Sequence, residues 1–380
     1  MRVLLLGAVL TIGATNASAI LEGPKLGCSS AILIEETTGR VLWTKNADIK
    51  AFPASTTKIM TAILLIENVG PDTLITAPPN IKTVKPSSMH LQPGEQVTMK
   101  HLLYALMLRS ANDAAVAAAH HISGSVVEFG KLMTKRAKEF GCTSTNFVNP
   151  NGLHDPNHYS TARDISILAR QAMTYPVLRE VVKTPTWWLT RSMNQEDLLV
   201  ENRNEMLKDP TYDGIKTGFT KPAGECLVAS ATRDGMRLIS VVLHADDREL
   251  DTKGLVDWGF KYYSPGTYIQ KGATVTSAPV LNGAVETVEA VASEELSGVV
   301  RKDIPEKPIL NIKKLEAPVE AGQVIGTAKY EGAPPIDLIA KERVAKKFPT
   351  FAASGAFGAF FVGGYALIRR KRQRIYENPY

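Results

Sequence analysis

The sequence predicts an α/β body that contains an antiparallel sheet, followed by a small β-rich domain and a C-terminal transmembrane helix. Residues 59 to 66 and 102 to 108 are nearly continuous apolar runs of helical length. Two strand-like segments, 226 to 231 and 238 to 244, flank Asp234-Gly235, a typical hairpin turn. With 380 residues, 44% of them hydrophobic, the chain is long enough for a full core and two domains.

The first 19 residues have the pattern of a secretory signal peptide. Arg2 provides a positive charge, Val3 to Ile12 form a short apolar run, and Ala17-Ser18-Ala19 is a small-residue cleavage site. We therefore expect export, with a mature chain that begins near Ile20. The alternative is a buried first helix, which the order of charge, apolar run and cleavage site disfavours.

The body is predicted to have two parts. Residues 25 to 265 combine the apolar helices with the strand pair. From 266 to 345 the sequence changes to short β-prone pieces broken by Gly and Pro, such as Ala273 to Thr276 and Gln323 to Lys329. These boundaries predict a larger α/β domain, residues 25 to 265, and a small β-domain, residues 266 to 345.

Residues 348 to 368 predict a membrane anchor. This stretch carries no charge over 21 residues, which as a helix spans about 30 Å, the thickness of the hydrocarbon core. A basic tail, 369 to 380, follows and favours the cytoplasmic side. We expect a single-pass protein of the cell membrane with its body on the extracytoplasmic side. A helix in the membrane interface or a buried core helix stays open, because several glycines weaken the helix prediction.

Charge and cysteine content exclude other classes of protein. The formal net charge of +6 comes mostly from the C-terminal basic cluster and Arg2, so no nucleic-acid-binding face is predicted. Cys28, Cys142 and Cys226 are an odd set. One disulfide is possible, free buried thiols are the alternative, and no disulfide framework or metal site is indicated. His154 and His158 lack a further ligand cluster, so we predict no metal there.

The first chemical motif is Ser55-Thr56-Thr57-Lys58, which follows Pro53 and opens the first apolar helix. Ser55 and Lys58 lie three residues apart, so both side chains face the same side of a helix. A partly buried lysine near other cations loses proton affinity and can act as a neutral base that activates a hydroxyl. By itself this motif is weak, since any helix start can contain it by chance.

Two further motifs follow along the chain. Ser110-Ala111-Asn112 ends the second apolar run. Its hydroxyl can relay a proton to a leaving amine, and its amide can hold a substrate carbonyl or the base; a simple helix cap is the alternative. Lys216-Thr217-Gly218 precedes the hairpin and is predicted to lie on an edge strand. Gly218 would leave room there for a substrate backbone to pair with the edge.

The three motifs, in this order, are the signature of penicillin-binding proteins and class A β-lactamases. The chain resembles the low-molecular-mass penicillin-binding D-Ala-D-Ala carboxypeptidases, serine peptidases of family S11, over most of residues 25 to 265. The resemblance rests on residues 52 to 61, 110 to 114, 202 to 204 and 213 to 218. It implies the penicillin-recognising serine transpeptidase or β-lactamase-like fold, a following β-domain and a membrane anchor.

The resemblance also implies residue roles. Ser55 is expected to form the acyl-enzyme, Lys58 to take its proton, and Ser110 to pass the proton to the departing D-alanine. Substrate binding is expected from Asn112, Lys216, Thr217, Gly218, Phe219, Arg203 and Arg248, with the backbone N–H groups of Ser55 and Phe219 as the oxyanion hole. For Arg248 a solvated surface arginine is the alternative. The loop with Asn151 and His154 is expected to border the site.

The implied function is removal of the terminal D-alanine from peptidoglycan stem pentapeptides, which limits cross-linking. The implied partners are the stem peptide and β-lactam inhibitors, and no cofactor is expected. A D,D-endopeptidase would use the same residues. A class A β-lactamase is disfavoured because the chain lacks a Glu-x-x-Leu-Asn stretch, and a catalytically silent wall-binding protein is disfavoured because Ser55, Lys58, Ser110 and Lys216 are all present.

Overall fold

The computed structural model describes residues 23 to 85 and 87 to 348. The predicted signal peptide, the basic tail and all of the predicted anchor except Phe348 lie outside the described residues. The chain forms two compact units. Among the described residues, the first unit comprises those up to Tyr268 together with Ser297–Lys307 and Tyr330–Pro334. The second comprises Ile269–Leu296, Pro308–Lys329 and residues 335 to 348.

The helices and strands of the described residues occur in runs along the chain. The helices are α1 (Lys58–Asn68), α2 (Met99–Tyr104), α3 (Asn112–Ser123), α4 (Val126–Glu139), α5 (Ala162–Ala172), α6 (Pro176–Lys183) and α7 (Arg248–Tyr262). Short 3-10 turns occupy Ala54–Thr57, Ile81–Thr83 and Glu205–Lys208. The strands are β1 (Ser30–Glu35), β2 (Val41–Lys45), β3 (Leu74–Thr76), β4 (Gln96–Thr98), β5 (Thr186–Leu189), β6 (Leu198–Glu201), β7 (Tyr212–Thr220), β8 (Gly224–Arg233), β9 (Met236–Ala245), β10 (Tyr263–Ile269), β11 (Thr274–Leu281), β12 (Thr287–Ala292), β13 (Leu296–Arg301), β14 (Ile309–Ile312), β15 (Leu315–Glu316), β16 (Val324–Lys329) and β17 (Ile336–Ala340).

A five-stranded antiparallel sheet forms the centre of the first unit, in the order β2-β1-β9-β8-β7. The predicted hairpin is confirmed: β8 and β9 meet at Asp234 and Gly235, which have φ values of 49° and 77°. Positive φ at both central residues is the requirement of a type I′ turn. Strand β7, which carries Lys216-Thr217-Gly218, lies at the edge of the sheet, as predicted.

The apolar runs form the core on one face of this sheet. Helix α1 is buried from Lys58 to Leu65, which confirms a helix enclosed on most sides. The second run differs from a single α-helix, because α2 ends at Tyr104 and a π-helical turn, Ala105–Arg109, replaces its last turns. Such wide turns are rare and occur mostly at functional sites. The chain then reverses at Ser110 and enters α3.

The three cysteines are core residues, whereas the adjacent tryptophans Trp187 and Trp188 differ from each other in burial. Cys28, Cys142 and Cys226 are all buried and free, so the disulfide considered from the sequence does not form. Trp187 stacks on Tyr104 with ring centroids 3.9 Å apart, whereas Trp188 is 61% exposed. The two rings therefore face opposite sides of β5, as the strand alternation predicts.

The second unit is built on a six-stranded sheet in the order β14-β16-β17-β12-β11-β15. Its pairs are antiparallel except β11 with β15, which run parallel. No helix is found in the described part of this unit, so the predicted β-rich character is confirmed. Within residues 23 to 85 and 87 to 348, no helix has the length and apolar content needed to cross a bilayer.

Buried Asp164 fixes the start of α5 to the loop that precedes the active-site segment. Its carboxylate accepts hydrogen bonds from Ser144 N at 2.7 Å and from Thr145 Oγ1 at 2.6 Å. Its own backbone N–H donates to Thr161 Oγ1 at the helix N-cap. Because the acceptor is charged and enclosed, each of these bonds contributes more than an ordinary surface hydrogen bond.

We predict that Asp164→Ala lowers the free energy of unfolding by about 2 to 4 kcal/mol, since it leaves buried donors without acceptors. Urea unfolding followed by tryptophan fluorescence measures this change in the first unit, because Trp43, Trp187, Trp188 and Trp258 all lie there. Asp72→Ala at an exposed position is the control, with an expected change below about 0.5 kcal/mol. Equal effects of the two substitutions would contradict the role given to Asp164.

Candidate active site

Ser55 lies in the 3-10 turn Ala54–Thr57, directly before α1. Its neighbour Ala54 has a φ of 45°, a left-handed conformation that is uncommon for a residue other than glycine. Gly152, with a φ of 80°, packs against this turn so closely that a Cβ there would lie 1.8 Å from the Ala54 carbonyl oxygen. The position of Ser55 therefore depends on a strained turn and on a glycine that supports it.

The amine of Lys58 has three partners. Nζ lies 3.0 Å from Ser55 Oγ, 2.7 Å from Asn112 Oδ1 and 2.6 Å from the carbonyl oxygen of Asn151. The last two atoms are pure acceptors, so each takes one N–H of the amine. In a neutral amine the remaining position is the lone pair, and it faces the Ser55 hydroxyl. The geometry therefore suits proton transfer from Ser55 to Lys58.

The surroundings of Lys58 favour this neutral state. The side chain is fully buried, and burial lowers the pKa of Lys58 well below its ordinary value. The positive charges of Lys216 and Arg203 lower this pKa further, while Asp113 opposes them. A charged amine loses more by desolvation than a neutral one, which is the physical cause of the main shift.

Asn112 is held so that its oxygen faces Lys58. Its Nδ2 donates to the carbonyl oxygen of Lys85 at 3.0 Å, and its backbone N–H donates to Ser87 O at 2.8 Å. The reversed amide would place an NH₂ group against the amine and an oxygen against a carbonyl, so the two contacts fix one orientation. Asn112 thus positions the base and opens α3.

Ser110 occupies the reversal between the π-helical turn and α3, with a φ of 64°. Its hydroxyl is buried and has no hydrogen-bond partner among the described residues. The side chain nevertheless lines the same cavity as Ser55. A buried, unpaired hydroxyl beside a nucleophile is available to bond with a reacting group.

Strand β7 forms the opposite wall. Lys216 is buried with its Nζ near the Thr217 carbonyl oxygen, and the pKa of Lys216 is lowered to about 7 by burial, with additional effects of Arg203 and Arg248. A Cβ on Gly218 would lie 3.0 Å from Ser55 N. The absence of a side chain on Gly218 therefore lets β7 approach the nucleophile turn, a reason different from the substrate space that the sequence suggested.

Arginines line the outer part of the cavity. Arg203 Nη1 donates to Ser87 Oγ at 2.5 Å, and Arg248 Nε donates to Glu249 Oε1 at 2.8 Å. The cavity has a volume of about 340 Å³. It is lined by Ser55, Ser87, Ser110, Asn112, Gly152, Leu153, Arg203, Thr217, Gly218, Phe219, Thr220 and Arg248. Arg248, for which the sequence left a solvated surface position open, thus lies at the same cavity as Ser55.

Several residues of the site were not predicted. Ser87 is a cavity residue that bonds to Arg203, and Asp113 holds its loop by accepting from Ser88 Oγ at 2.6 Å and from the N–H groups of Met89 and Leu91. The described loop residues 87 to 91 carry no motif, so only their contacts with the start of α3 identify them. Asn151, expected from the sequence to border the site, contributes its carbonyl oxygen rather than its side chain.

The histidines of the 149 to 158 loop have structural contacts. His154 packs edge-on against Phe52 with ring centroids 4.6 Å apart. His158 Nε2 lies 2.8 Å from Thr57 Oγ1, and its Nδ1 accepts from Val148 N at 3.2 Å. Burial lowers the pKa of His158 to about 4, so it is neutral at pH 7. In the part of the chain that the structure describes, no three His, Cys, Asp or Glu side chains are grouped to hold a metal ion.

Taken together, the cavity combines a nucleophile, an adjacent base, an unpaired hydroxyl and a cationic end. A serine hydroxyl that transfers its proton to a buried amine is suited to attack a carbonyl carbon. The guanidinium groups of Arg203 and Arg248 at the outer end suit a carboxylate. The geometry therefore indicates acyl transfer from a substrate that ends in a carboxylate.

Comparison with known proteins agrees with this geometry. The family described as D-alanyl-D-alanine carboxypeptidase, peptidase S11, matches residues 17 to 247, and the family described as penicillin-binding protein 5, C-terminal domain, matches residues 263 to 346. The chain is 34% identical over 365 residues to D-alanyl-D-alanine carboxypeptidase DacF of Bacillus subtilis, covering 90% of this chain and 92% of the relative.

Two further similarities extend this result. D-alanyl-D-alanine carboxypeptidase DacC of Escherichia coli is 33% identical over 341 residues, which cover 83% of this chain and 82% of that protein. The crystal structure of penicillin binding protein 5 from Haemophilus influenzae superposes with a TM-score of 0.66 at 31% identity. That similarity covers 85% of this chain and 99% of the other.

We predict that Lys216→Met stabilises the protein, and that this gain shrinks as the pH rises above 7. Between the folded pKa of about 7 and the ordinary value of 10.5, the unfolded chain binds a proton that the folded protein does not. The stability of the wild type therefore rises with pH in this window, with a slope of up to about 1.4 kcal/mol per pH unit. The Lys216→Met variant has no titratable group at this position and lacks this contribution.

Urea unfolding of both proteins at pH 6 and pH 9 measures the difference. Lys131→Met, at an exposed site in α4, is the control and should change the free energy of unfolding by less than about 0.5 kcal/mol at either pH. A stability gain of Lys216→Met that is equal at both pH values would show that the folded pKa of Lys216 is not depressed.

Proposed function

The chain belongs to the D-alanyl-D-alanine carboxypeptidase family, peptidase S11, and we propose that it removes the terminal D-alanine from peptidoglycan stem pentapeptides through an acyl-enzyme on Ser55. One observation carries this proposal. The buried amine of Lys58 contacts two carbonyl oxygens, which accept its two N–H groups in the neutral state, and its lone pair then faces Ser55 Oγ. Removal of the terminal D-alanine would limit cross-linking, since a pentapeptide with an intact D-Ala-D-Ala end is the acyl donor for that reaction.

Acylation uses groups already in place. Ser55 Oγ attacks the carbonyl carbon of the penultimate D-alanine while its proton passes to Lys58 Nζ. The oxygen of the tetrahedral intermediate is then stabilised by the backbone N–H groups of Ser55 and of Phe219, the residue that follows Gly218, which itself packs on the nucleophile turn. When the peptide bond breaks, Ser110 passes a proton to the departing amine and regains one from Lys58.

Deacylation reverses the roles. Water attacks the ester carbon, its proton passes to the base formed by Lys58 and Ser110, and Ser55 Oγ recovers its hydrogen. The described residues that line the cavity supply no carboxylate, since none of them is Asp or Glu. A rapid β-lactamase needs such a group to activate water. β-Lactams are therefore expected to acylate Ser55 and remain bound as inhibitors.

Substrate recognition is assigned to the cationic end of the cavity. Arg203, Arg248 and the Thr217 hydroxyl line this end of the cavity and are the donors for the terminal carboxylate. The buried Lys216, which interacts electrostatically with both arginines, adds positive potential. The pKa of Lys216 is about 7 without substrate. An arriving carboxylate favours its protonated form, so the positive potential is strongest when the substrate is bound.

We also propose an extracytoplasmic location with a single C-terminal anchor. The support is the signal-like sequence of residues 1 to 19, the uncharged residues 348 to 368 and the basic tail after them. The substrate class agrees with this location, because peptidoglycan lies outside the cytoplasmic membrane.

We predict that Ser55→Ala abolishes acylation by penicillin and lowers D-alanine release from a pentapeptide by about 10³-fold or more, because the nucleophile is lost. Intact mass after penicillin treatment reports acylation, and a D-alanine assay on the same sample reports turnover. Ser125→Ala at the N-cap of α4 is the control and keeps both properties.

The same experiment separates the alternatives. Acylation of the wild type without D-alanine release, together with cleavage of cross-linked dimers, would identify a D,D-endopeptidase. Acylation without either hydrolysis would identify a penicillin-binding protein that does not act on the wall. Acylation that persists in Ser55→Ala would refute the assigned nucleophile.

We predict that Arg248→Gln lowers kcat/KM about ten- to a hundredfold for a peptide with a free C-terminal carboxylate, the range of a lost charge-assisted hydrogen bond. A peptide with an amidated C-terminus should be cleaved at the same low rate by both proteins. Arg343→Gln in the second unit is the control. Equal losses for the two peptides would place Arg248 outside carboxylate recognition.

A further inference from the structure

The turn between β11 and β12 in the second unit exposes apolar side chains. We call residues 281 to 286 the hairpin tip. Leu281 is 63% exposed and Val285 is 50% exposed. Neither side chain contributes to the core of its own sheet, where the inward positions are taken by Ala278, Val280 and Val288. The apolar surface of the tip is thus exposed and can contact a further surface outside this sheet.

The end of the described chain is bound to this tip. Ala284 N donates to Ala345 O at 2.8 Å, and Lys347 N donates to Asn282 O at 2.8 Å. Gly283 and Lys346 form a β-bridge between these bonds. The chain therefore leaves the second unit at the hairpin tip, and Phe348, 84% exposed, is the next residue.

This attachment limits how far the tip can lie from the proposed membrane span, which begins at residue 348. Consecutive Cα atoms are about 3.8 Å apart, so Phe348 lies within one residue of the bond to Asn282. The headgroup layer is about 5 to 8 Å thick on each side of the hydrocarbon core. If the span enters the core at its first residues, the hairpin tip lies inside that layer.

The charges around the tip offset one another. Lys346 and Lys347 are exposed, and so are Glu286 and Glu316, of which Glu316 accepts from Asn282 Nδ2 at 3.1 Å. Two positive and two negative groups give no strong attraction to anionic lipid. The contact that these residues favour is therefore apolar, and it does not require a charged membrane.

We propose that the hairpin tip inserts Leu281 and Val285 into the interfacial layer of the lipid bilayer and forms a second membrane contact beside the span. This inference rests on the proposed C-terminal anchor. The partner is a lipid surface, because the chain itself leads from the tip to the segment predicted to enter the bilayer. Two side chains of this size add a modest apolar contact, which orients the second unit rather than binding it to the membrane alone.

Site-specific labelling tests the proposal in the full chain. Cys28, Cys142 and Cys226 are buried, so a cysteine introduced at an exposed position is the reactive thiol. Leu281→Cys and Val285→Cys are labelled with an environment-sensitive fluorophore and reconstituted into phosphatidylcholine vesicles that carry a nitroxide lipid. Ile309→Cys on β14, equally exposed at 63% and at the opposite end of the strand order, is the matched control.

We expect quenching of at least about twofold at positions 281 and 285 and little at 309, because the inference places the tip inside the headgroup layer, which is about 5 to 8 Å thick. Retained D-alanine release from a soluble pentapeptide shows that each variant is folded. Vesicle-bound protein without quenching at 281 and 285 would overturn the inference, as would equal quenching at 309. Failure of the full chain to sediment with vesicles would overturn the proposed anchor, and this inference with it, while Ser55 acylation stays a separate result.

Discussion

The buried amine of Lys58 is the constraint on which the rest of the active site depends. An amine without access to water must find acceptors, and it finds them in Asn112 Oδ1 and the Asn151 carbonyl. Those two contacts come from α3 and from the 149 to 158 loop, so three separated parts of the chain have to meet at one atom. The same burial lowers the pKa of Lys58 well below its ordinary value and so favours the neutral amine, which can accept the proton of Ser55.

The sequence alone predicts those elements that depend on residues close together along the chain. The hairpin turn at Asp234-Gly235, the edge position of Lys216 and the buried α1 all follow from periodicity and turn chemistry. The Ser-x-x-Lys pair also follows, since helical spacing alone brings both side chains to one face. The grouping of the three motifs at one cavity came from their resemblance to a known signature, because spacing along the chain does not report distance in space.

The remaining parts of the site depend on long-range contacts. Ser87 lies in, and Asp113 binds, a loop whose sequence has no regular pattern. Asn151 contributes its backbone carbonyl oxygen, and every residue has such an oxygen, so the residue type does not reveal this role. The role of Gly218 was assigned to substrate space, whereas the fold uses it to bring β7 against the nucleophile turn. A glycine in a strand signals a close approach, but its neighbour is known only when the tertiary structure is known.

The three free cysteines have a consequence for the redox chemistry of the folded protein. Burial raises the pKa of Cys28 and Cys142 to about 12 and that of Cys226 to about 11, so each sulfur stays protonated at neutral pH. Oxidation and thiol exchange require the thiolate, which is suppressed at all three positions. Once the protein is folded, these three thiols are therefore slow to oxidise or to exchange with disulfides, and the native state contains no disulfide among them.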